Sequence, residues 1–408
     1  MNKSQTILKL VPSLRARKLP DGRIVLTQKF VEGVTEFHKF WEGPVDVYME
    51  SSEHPSGNMD EVSVLPGDLP FRVRLLPLPE IARAIVADRT AVVLLSLDDF
   101  RQSGLSAVCR RHGVACAYIS EYSLTTRKQI IDAGTVNPLK RARRKLWEAS
   151  EERKRRRAVE NATGLQCNGT PTYESYREIC SRALLYFDTR VSADVLATED
   201  EIRRRVSGAG GVLRLLYSGR LVAAKGVGQL VEIARNLRER NVDFHLFICG
   251  DGDLRPVIGD QIRAAQLSRY ITLKGVLDFK SELVPFVKSN IDLFVCCHPQ
   301  GDPSCTYLET MSCGVPIAGY ANEAFEGVVR HSGCGWAVPV NRPRALADRI
   351  AEVRRLPESL LRMSLASVAF AMDHTFERTF SRRISHLRAL EESHAQVREE
   401  MSEMASRA

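Results

Sequence analysis

The sequence predicts an α/β protein made of two doubly wound, parallel-sheet domains, and three observations point to it. From Leu213 onward, apolar strands alternate with amphipathic helices. These strands are apolar throughout rather than at every second position, as a parallel sheet covered by helices on both faces requires. A glycine-rich break, Ser207–Gly211 (SGAGG), separates this half from a first half with the same alternation in weaker form. At 408 residues the chain is long enough for two or three cores. The expected organisation is a first domain over 1–206, a linker over 207–211, a second domain over 212–372, and a C-terminal helix with a polar tail over 373–408.

In the first domain, Gly22–Phe30 reads as a strand. Val31–Trp41 follows as a helix with Val34, Phe37 and Trp41 at helical spacing. Val45–Met49, Phe71–Pro77 and Ala91–Leu97 are short apolar segments suited to strands. Leu105–His112 reads as a helix stopped by Gly113, and Val114–Ser120 as a further strand. The segment 140–157 (KRARRKLWEASEERKRRR) follows Pro138 and reads as a helix. Ala162–Cys167, a turn at Asn168–Pro171, a helix over Tyr173–Leu185 and a charged helix ending near Val206 complete this half.

The second domain is more regular. Its expected strands are Leu213–Gly219, Phe244–Gly250, Tyr270–Gly275, Ile291–Cys297, Val315–Tyr320 and Gly335–Val340. Between them come helices at Val227–Arg240, Leu254–Leu267 and Ser281–Asn290, a short one N-capped by Ser304, and one at Pro343–Leu356.

Composition narrows the class. A hydrophobic content of 44% and a charged content of 26% are ordinary for a soluble globular protein. No apolar run reaches the ~20 residues of a membrane-spanning helix. The N-terminus carries no small-residue cleavage site, so a cytoplasmic home is expected. The ten cysteines form no CxxC pair and no zinc-type spacing, and they read as small buried hydrophobes. Net charge is +8, and residues 140–157 alone hold ten Lys/Arg against three Glu. That helix is either simply solvated or drawn to an anionic membrane face, with Trp147 as interfacial anchor. Nucleic acid is not expected, because no binding motif or aromatic interleaving accompanies the charge.

Four features gather at the carboxyl ends of second-domain strands, where ligands bind in such sheets. Gly219-Arg220-Leu221 with Lys225-Gly226 suits a phosphate-bearing ligand. Gly250-Asp251-Gly252 is a tight turn that lacks the third glycine of a dinucleotide fingerprint. Lys274 stands at a level that could meet a nucleobase. The fourth is the stretch Ile291–Tyr320, in which His298 ends a strand, Ser304, Cys305 and Thr306 open a helix, and Glu309 lies in its first turn.

This combination resembles the donor half of family 4 glycosyltransferases, over about residues 210–340. The resemblance implies the GT-B fold, two Rossmann-like domains facing a cleft, with the C-terminal helix crossing back to the first. It implies a retaining transfer from a nucleotide-diphosphate sugar to a saccharide or lipid-linked acceptor, as in cell-surface or exopolysaccharide assembly. It places the enzyme at the cytosolic side, peripheral on the inner face of the plasma membrane where the basic helix attaches. Carried over by position, Arg220 and Lys225 bind the diphosphate and Glu309 the ribose. Ser304, Cys305 and Thr306 approach the phosphates or sugar, and Gly250 and Gly252 form a turn at the cleft. The family's first glutamate falls on Gly301, leaving the neighbouring Asp302 as the available carboxylate.

Preorganised cations can stabilise a departing diphosphate, and no DxD-type pair follows a second-domain strand, so neither metal nor cofactor is expected. Asp98-Asp99 reads as a helix-start acidic pair. On the acceptor side, Gly33 is placed in a loop facing the cleft, and Glu121, at a strand end, is a candidate acceptor base. Two rivals use the same residues: a nucleotide-sugar epimerase, and a non-catalytic basic-surface binding protein with a degraded donor site.

Overall fold

The computed structural model describes residues 6–407 except 55–59, 89, 209 and 210, with backbone only at 397–399 and beyond 400. Residues 209 and 210 of the expected linker thus lie outside the described residues. Each half of the chain builds one parallel sheet. The first has seven strands in the order Ala183–Tyr186, Gly164–Asn168, Ala115–Ser120, Ala91–Ser96, Ile7–Val11, Val45–Met49, Arg72–Leu75. The second has six, in the order Ile271–Gly275, Phe244–Cys249, Leu213–Ser218, Leu293–Cys296, Ile317–Tyr320, Trp336–Val338. In both, the winding reverses between the first and fourth strand in chain order. That switch point opens a crevice at the carboxyl ends of the strands in each sheet.

Three segments of the first half differ from the sequence expectation. Ile7–Val11 is a central strand, paired with both Val45–Met49 and Ala91–Ser96. Lys9 within it hides the pattern. Its ammonium is buried and donates to the carbonyls of Ala84 (3.1 Å) and Ile85 (3.3 Å), and burial lowers its pKa. The strand expected at Gly22–Phe30 is shorter, Ile24–Thr27, and joins a small antiparallel sheet with Glu61–Val64. The helix starts at Gln28 because the Thr27 side chain caps it, accepting from Phe30 N. Tyr173–Leu185 is not one helix. A short helix, Thr170–Tyr176, is followed by the edge strand Ala183–Tyr186, which pairs parallel to Gly164–Asn168.

The strands of the second half follow expectation, and the core around them also takes in Phe187, Val191 and Val195, which lie before the expected linker. After the helix Pro357–Asp373 the chain crosses back. Phe376 N donates to Val191 O at 2.7 Å, and the helix Phe376–Arg407 lays Phe380, Ile384, Leu387 and Leu390 into the first-domain core. No helix is long and apolar enough to cross a membrane, among the described residues.

The basic helix spans Pro138–Asn161, capped by Asn137. Its second half is tied to the domain by Glu152, which pairs with Arg127 at 3.4 Å and accepts from Tyr176 Oη at 3.0 Å, while Glu148–Arg155 and Glu151–Lys154 are pairs within the helix. Its first half is held to the segment before it, with Lys145 2.6 Å from Asp132 and Arg141 and Arg144 donating to Thr135, while Leu139 and Leu146 stay exposed.

Candidate active site

On the second domain, the loops after Leu213–Ser218 and Phe244–Cys249 touch backbone to backbone. Gly250 and Gly252 have φ of 128° and 153°, and a Cβ on Gly250 would collide with the Gly219 carbonyl. The glycine turn is therefore accounted for by this close approach. Arg220, in the touching loop, is exposed and makes no ion pair with a described residue. Lys225 ends a short 3-10 turn and is mostly buried, with its Nζ 2.7 Å from Asp302 Oδ2. Asp302 Oδ1 is buried without a partner, as are His298 Nδ1 and Gln300 Oε1. His298 lies between the rings of Tyr217 and Tyr307, and burial beside Lys225 holds its pKa well below the usual imidazole range, so it is neutral.

The short helix Thr306–Ser312 is preceded by Cys305 as N-cap, with no side-chain cap bond, so Ser304 does not hold the expected capping position. The Ser304 carbonyl instead accepts from Tyr307 N at 3.2 Å. Burial pushes the Cys305 thiol up to about 12, which leaves it a contact residue for Lys29 (3.4 Å) and Asp188 (3.7 Å). Glu309 projects from the first turn, and its Oε1 is 2.7 Å from Arg190 Nε. The Arg190 guanidinium lies 4.0 Å over the Phe279 ring. Lys274 turns elsewhere, with its ammonium over Phe286 (4.5 Å) and Phe247 (5.8 Å).

On the first domain, the switch-point crevice is a cavity of about 540 Å³. Gly33 lines it, but from within the helix Gln28–Phe40 rather than from a loop. A Cβ there would press on Phe380 at 3.3 Å, so the small residue admits the returning helix. Glu121 lines the same cavity, and its carboxylate makes no hydrogen bond to a described residue. Burial, reinforced by the charges of Asp188 and Asp98, raises its pKa from 4.5 to about 7. Lys29 pairs closely with Asp188 at the cavity mouth. Asp98 accepts from the Glu121 and Tyr122 amides and pairs with Arg127 at 2.7 Å, while Asp99 caps the following 3-10 helix.

The domains meet at a seam beside these groups. Gly301 is gripped by the first domain: its N–H donates to Gln129 Oε1 at 3.0 Å and its carbonyl accepts from Thr126 Oγ1 at 3.1 Å. Ser123 Oγ donates to Glu323 Oε2 at 2.9 Å. A Cβ on Gly301 would lie 3.1 Å from Glu323 Cβ and 3.2 Å from Thr126 Oγ1. This position therefore serves the seam.

The structure brings together Lys225 and Asp302, and places Glu309 against Arg190 and Cys305 against Lys29 and Asp188. Sequence reasoning missed Lys29, Asp188, Arg190 and Arg383. Strand and helix ends alone marked Lys29, Asp188 and Arg190, and nothing marked Arg383 within its helix, because the partners of all four lie more than a hundred residues away.

Comparisons with known proteins agree with this arrangement. The family described as Glycosyl transferases group 1 matches residues 198–367. The alpha-D-kanosaminyltransferase of Streptomyces kanamyceticus is 29% identical over 182 residues, 45% of this chain and 46% of that protein. The putative colanic acid biosynthesis glycosyltransferase WcaL of Salmonella typhimurium is 28% identical over 165 residues, 39% and 40% of the two chains. The amylovoran biosynthesis glycosyltransferase AmsK of Erwinia amylovora is 28% identical over 142 residues, 33% and 34%. The alignments thus span less than half the length of these curated relatives. Among solved structures, Anabaena Alr3699/HepE in complex with UDP superposes over 94% of this chain and 99% of its own, with a TM-score of 0.65 at 12% identity. WaaG, a glycosyltransferase involved in lipopolysaccharide biosynthesis, covers 93% and 99%, with a TM-score of 0.58 at 13% identity. The chain has the GT-B fold, and residues 198–367, most of its second domain, match the family described as Glycosyl transferases group 1.

Proposed function

We propose that this protein is a retaining glycosyltransferase. It moves a sugar from a nucleotide-diphosphate donor on the second domain to a saccharide or lipid-linked acceptor on the first, in surface-polysaccharide assembly. The observation that carries the reading is the pair of switch-point sites, with Arg220 and Lys225 at one and Glu121 at the other. The named relatives in polysaccharide biosynthesis and the UDP held by HepE support the same assignment.

In this scheme Arg220 and Lys225 stabilise charge on the departing diphosphate, and Glu309 accepts from the ribose hydroxyls. Both ion pairs, Lys225–Asp302 and Arg190–Glu309, then open or are shared as the donor enters. Asp302 stands beside the transferred sugar. The bond from the sugar's anomeric carbon to the diphosphate breaks, and the acceptor oxygen bonds to that carbon on the same face. Its proton passes to Glu121, whose pKa near neutrality suits a base at working pH. Retention of configuration rests on the family resemblance alone. Calorimetric titration with UDP, GDP and ADP tests the donor site. Binding of one nucleotide is expected, and binding of none would sink the proposal.

The first half of the basic helix is assigned to an anionic membrane face. Val136, Leu139 and Leu146 are 94%, 81% and 74% exposed, and Leu139 and Leu146 lie two turns apart on one face. Lys140 and Arg143 flank them, and Trp147 stacks edge-on to Phe100, both rings half exposed. Apolar side chains interleaved with cations suit an anionic headgroup layer. Flotation with phosphatidylglycerol liposomes should recover the protein at low salt. Leu139→Ser with Leu146→Ser should reduce that recovery, and equal recovery would return the segment to an ordinary solvated helix.

A further inference from the structure

A guanidinium removed from water needs anions or carbonyl oxygens, because an unpaired buried charge is costly. Four arginines are buried among the described residues: Arg127, Arg155, Arg205 and Arg383. Three have such partners, although Nε of Arg155 and of Arg205 makes no hydrogen bond to a described residue. Arg127 pairs with Asp98 and Glu152, and Arg155 with Glu148. Arg205 donates to the carbonyls of Lys288, Cys313 and Gly314.

Arg383 differs from them. It is 5% exposed, its Nε donates to the neutral amide oxygen of Gln166 at 2.9 Å, and it forms no ion pair with a described residue. The rings of Phe37, Tyr186 and Phe380 surround it, with centroids 4.4 to 5.0 Å from Cζ. Those ring faces hold the cation in place without neutralising it. Nη1 and Nη2 make no hydrogen bond to a described residue, yet neither is sealed off, and Arg383 lines the first-domain cavity. Much of the remaining wall is apolar, including Leu10, Val34, Leu94, Leu95 and Ile119. Glu121 shares the cavity but stands beyond ion-pair distance.

We propose that Arg383 binds an anionic group of the acceptor, a phosphate or a carboxylate, while the apolar wall takes an apolar part of the same molecule. This rests on reading the cavity as the acceptor site. The acceptor is then an anionic amphiphile rather than a neutral sugar, and the helix returning from the second domain supplies the selecting residue.

Calorimetry on the full chain with octyl phosphate, nonanoate and octanol tests this without knowledge of the natural acceptor. At least one of the two anions should bind ten-fold or more tightly than octanol. Which one it is separates phosphate from carboxylate. Arg383→Met should remove that preference, Arg383→Lys should keep most of it, and Lys225→Met, which disables the donor-side cation, should leave it in place. Equal binding of the three compounds, no binding of any, a preference that survives Arg383→Met or one lost in Lys225→Met would each overturn the proposal. Should Arg383→Met fail to fold, the wild-type selectivity and its retention in Arg383→Lys decide. Failure of the wild type to bind any nucleotide would instead count against the transferase reading alone.

Discussion

The two faces of the cleft are built on opposite electrostatic plans. At the second-domain site Lys225 holds Asp302, and Glu309 is held by Arg190 from the segment that leads into that domain. On the first, Lys29 is paired with Asp188 and Asp98 with Arg127, but Glu121 and Arg383, in the same largely apolar cavity, form no ion pair with each other or with any described residue. A paired face keeps its polar groups satisfied until a charged ligand exchanges partners with it. An unpaired face already carries the desolvation cost, so its groups are tuned before anything binds. The donor side should therefore be robust to pH and sensitive to loss of a partner, and the acceptor side the reverse.

The largest expected effect lies on the unpaired face. Glu121→Gln should lower kcat by about 10²-fold or more, the usual worth of a positioned base. In the wild type the rate should rise with pH through about 7, as Glu121 ionises, and this limb should be absent from the variant. Stability gives a second readout with a fixed sign. Because the folded-state pKa is raised from 4.5 to about 7, the folded protein binds a proton that the unfolded chain releases in that window. Wild-type stability should fall relative to Glu121→Gln as pH rises from 4.5 to 7, with the difference constant above. Chemical denaturation at several pH values measures it, and a flat difference would remove Glu121 from the role of tuned base.

On the paired face, Lys225→Met should weaken nucleotide binding by about 10- to 100-fold, the range for losing one or two charge-assisted hydrogen bonds. It also strands Asp302, whose Oδ1 is already buried without a partner. Lys225→Met with Asp302→Asn should therefore regain stability but not affinity. Melting temperature and nucleotide titration separate the two, and normal nucleotide affinity in both variants would remove Lys225 from the donor site.

The same contrast explains what could be read from the sequence. The second domain was legible because its strands are continuous apolar runs, and because the residues expected to meet a phosphate, Gly219-Arg220 and Lys225-Gly226, lie in the loop that follows one of them. The first was obscured where a charge is buried in a strand, as Lys9 is in Ile7–Val11, or where a helix and an edge strand run together, as in Tyr173–Leu185. Glu121 was found because it ends a strand. Arg383 could not be, since it lies in a helix with many other arginines, and only folding brings it beneath a cavity built by residues 10 to 188. Lys274 illustrates the opposite error. Its place after an apolar strand suggested a ligand contact, whereas its ammonium is stacked on Phe286 and Phe247.

The smallest effect, and the one that tests how the two faces are joined, concerns Gly301. The family resemblance puts a glutamate here, so Gly301→Glu would be expected to restore a missing catalytic group. The seam geometry predicts the contrary. A Cβ at this position lies 3.1 Å from Glu323 Cβ and 3.4 Å from Glu323 Oε2, so the added carboxylate is directed against another. Relieving the clash costs the Ser123–Glu323 bond or the grip of Thr126 and Gln129 on the loop, about 1 kcal/mol for each hydrogen bond lost. The variant should show a several-fold higher KM for the donor, because the same loop carries Asp302 against Lys225. Adding Glu323→Ser should recover part of that loss by removing the like charge. A gain in kcat from Gly301→Glu alone would mean that the loop can leave the seam freely, and that its contacts with Thr126 and Gln129 do not set the relation between the two faces.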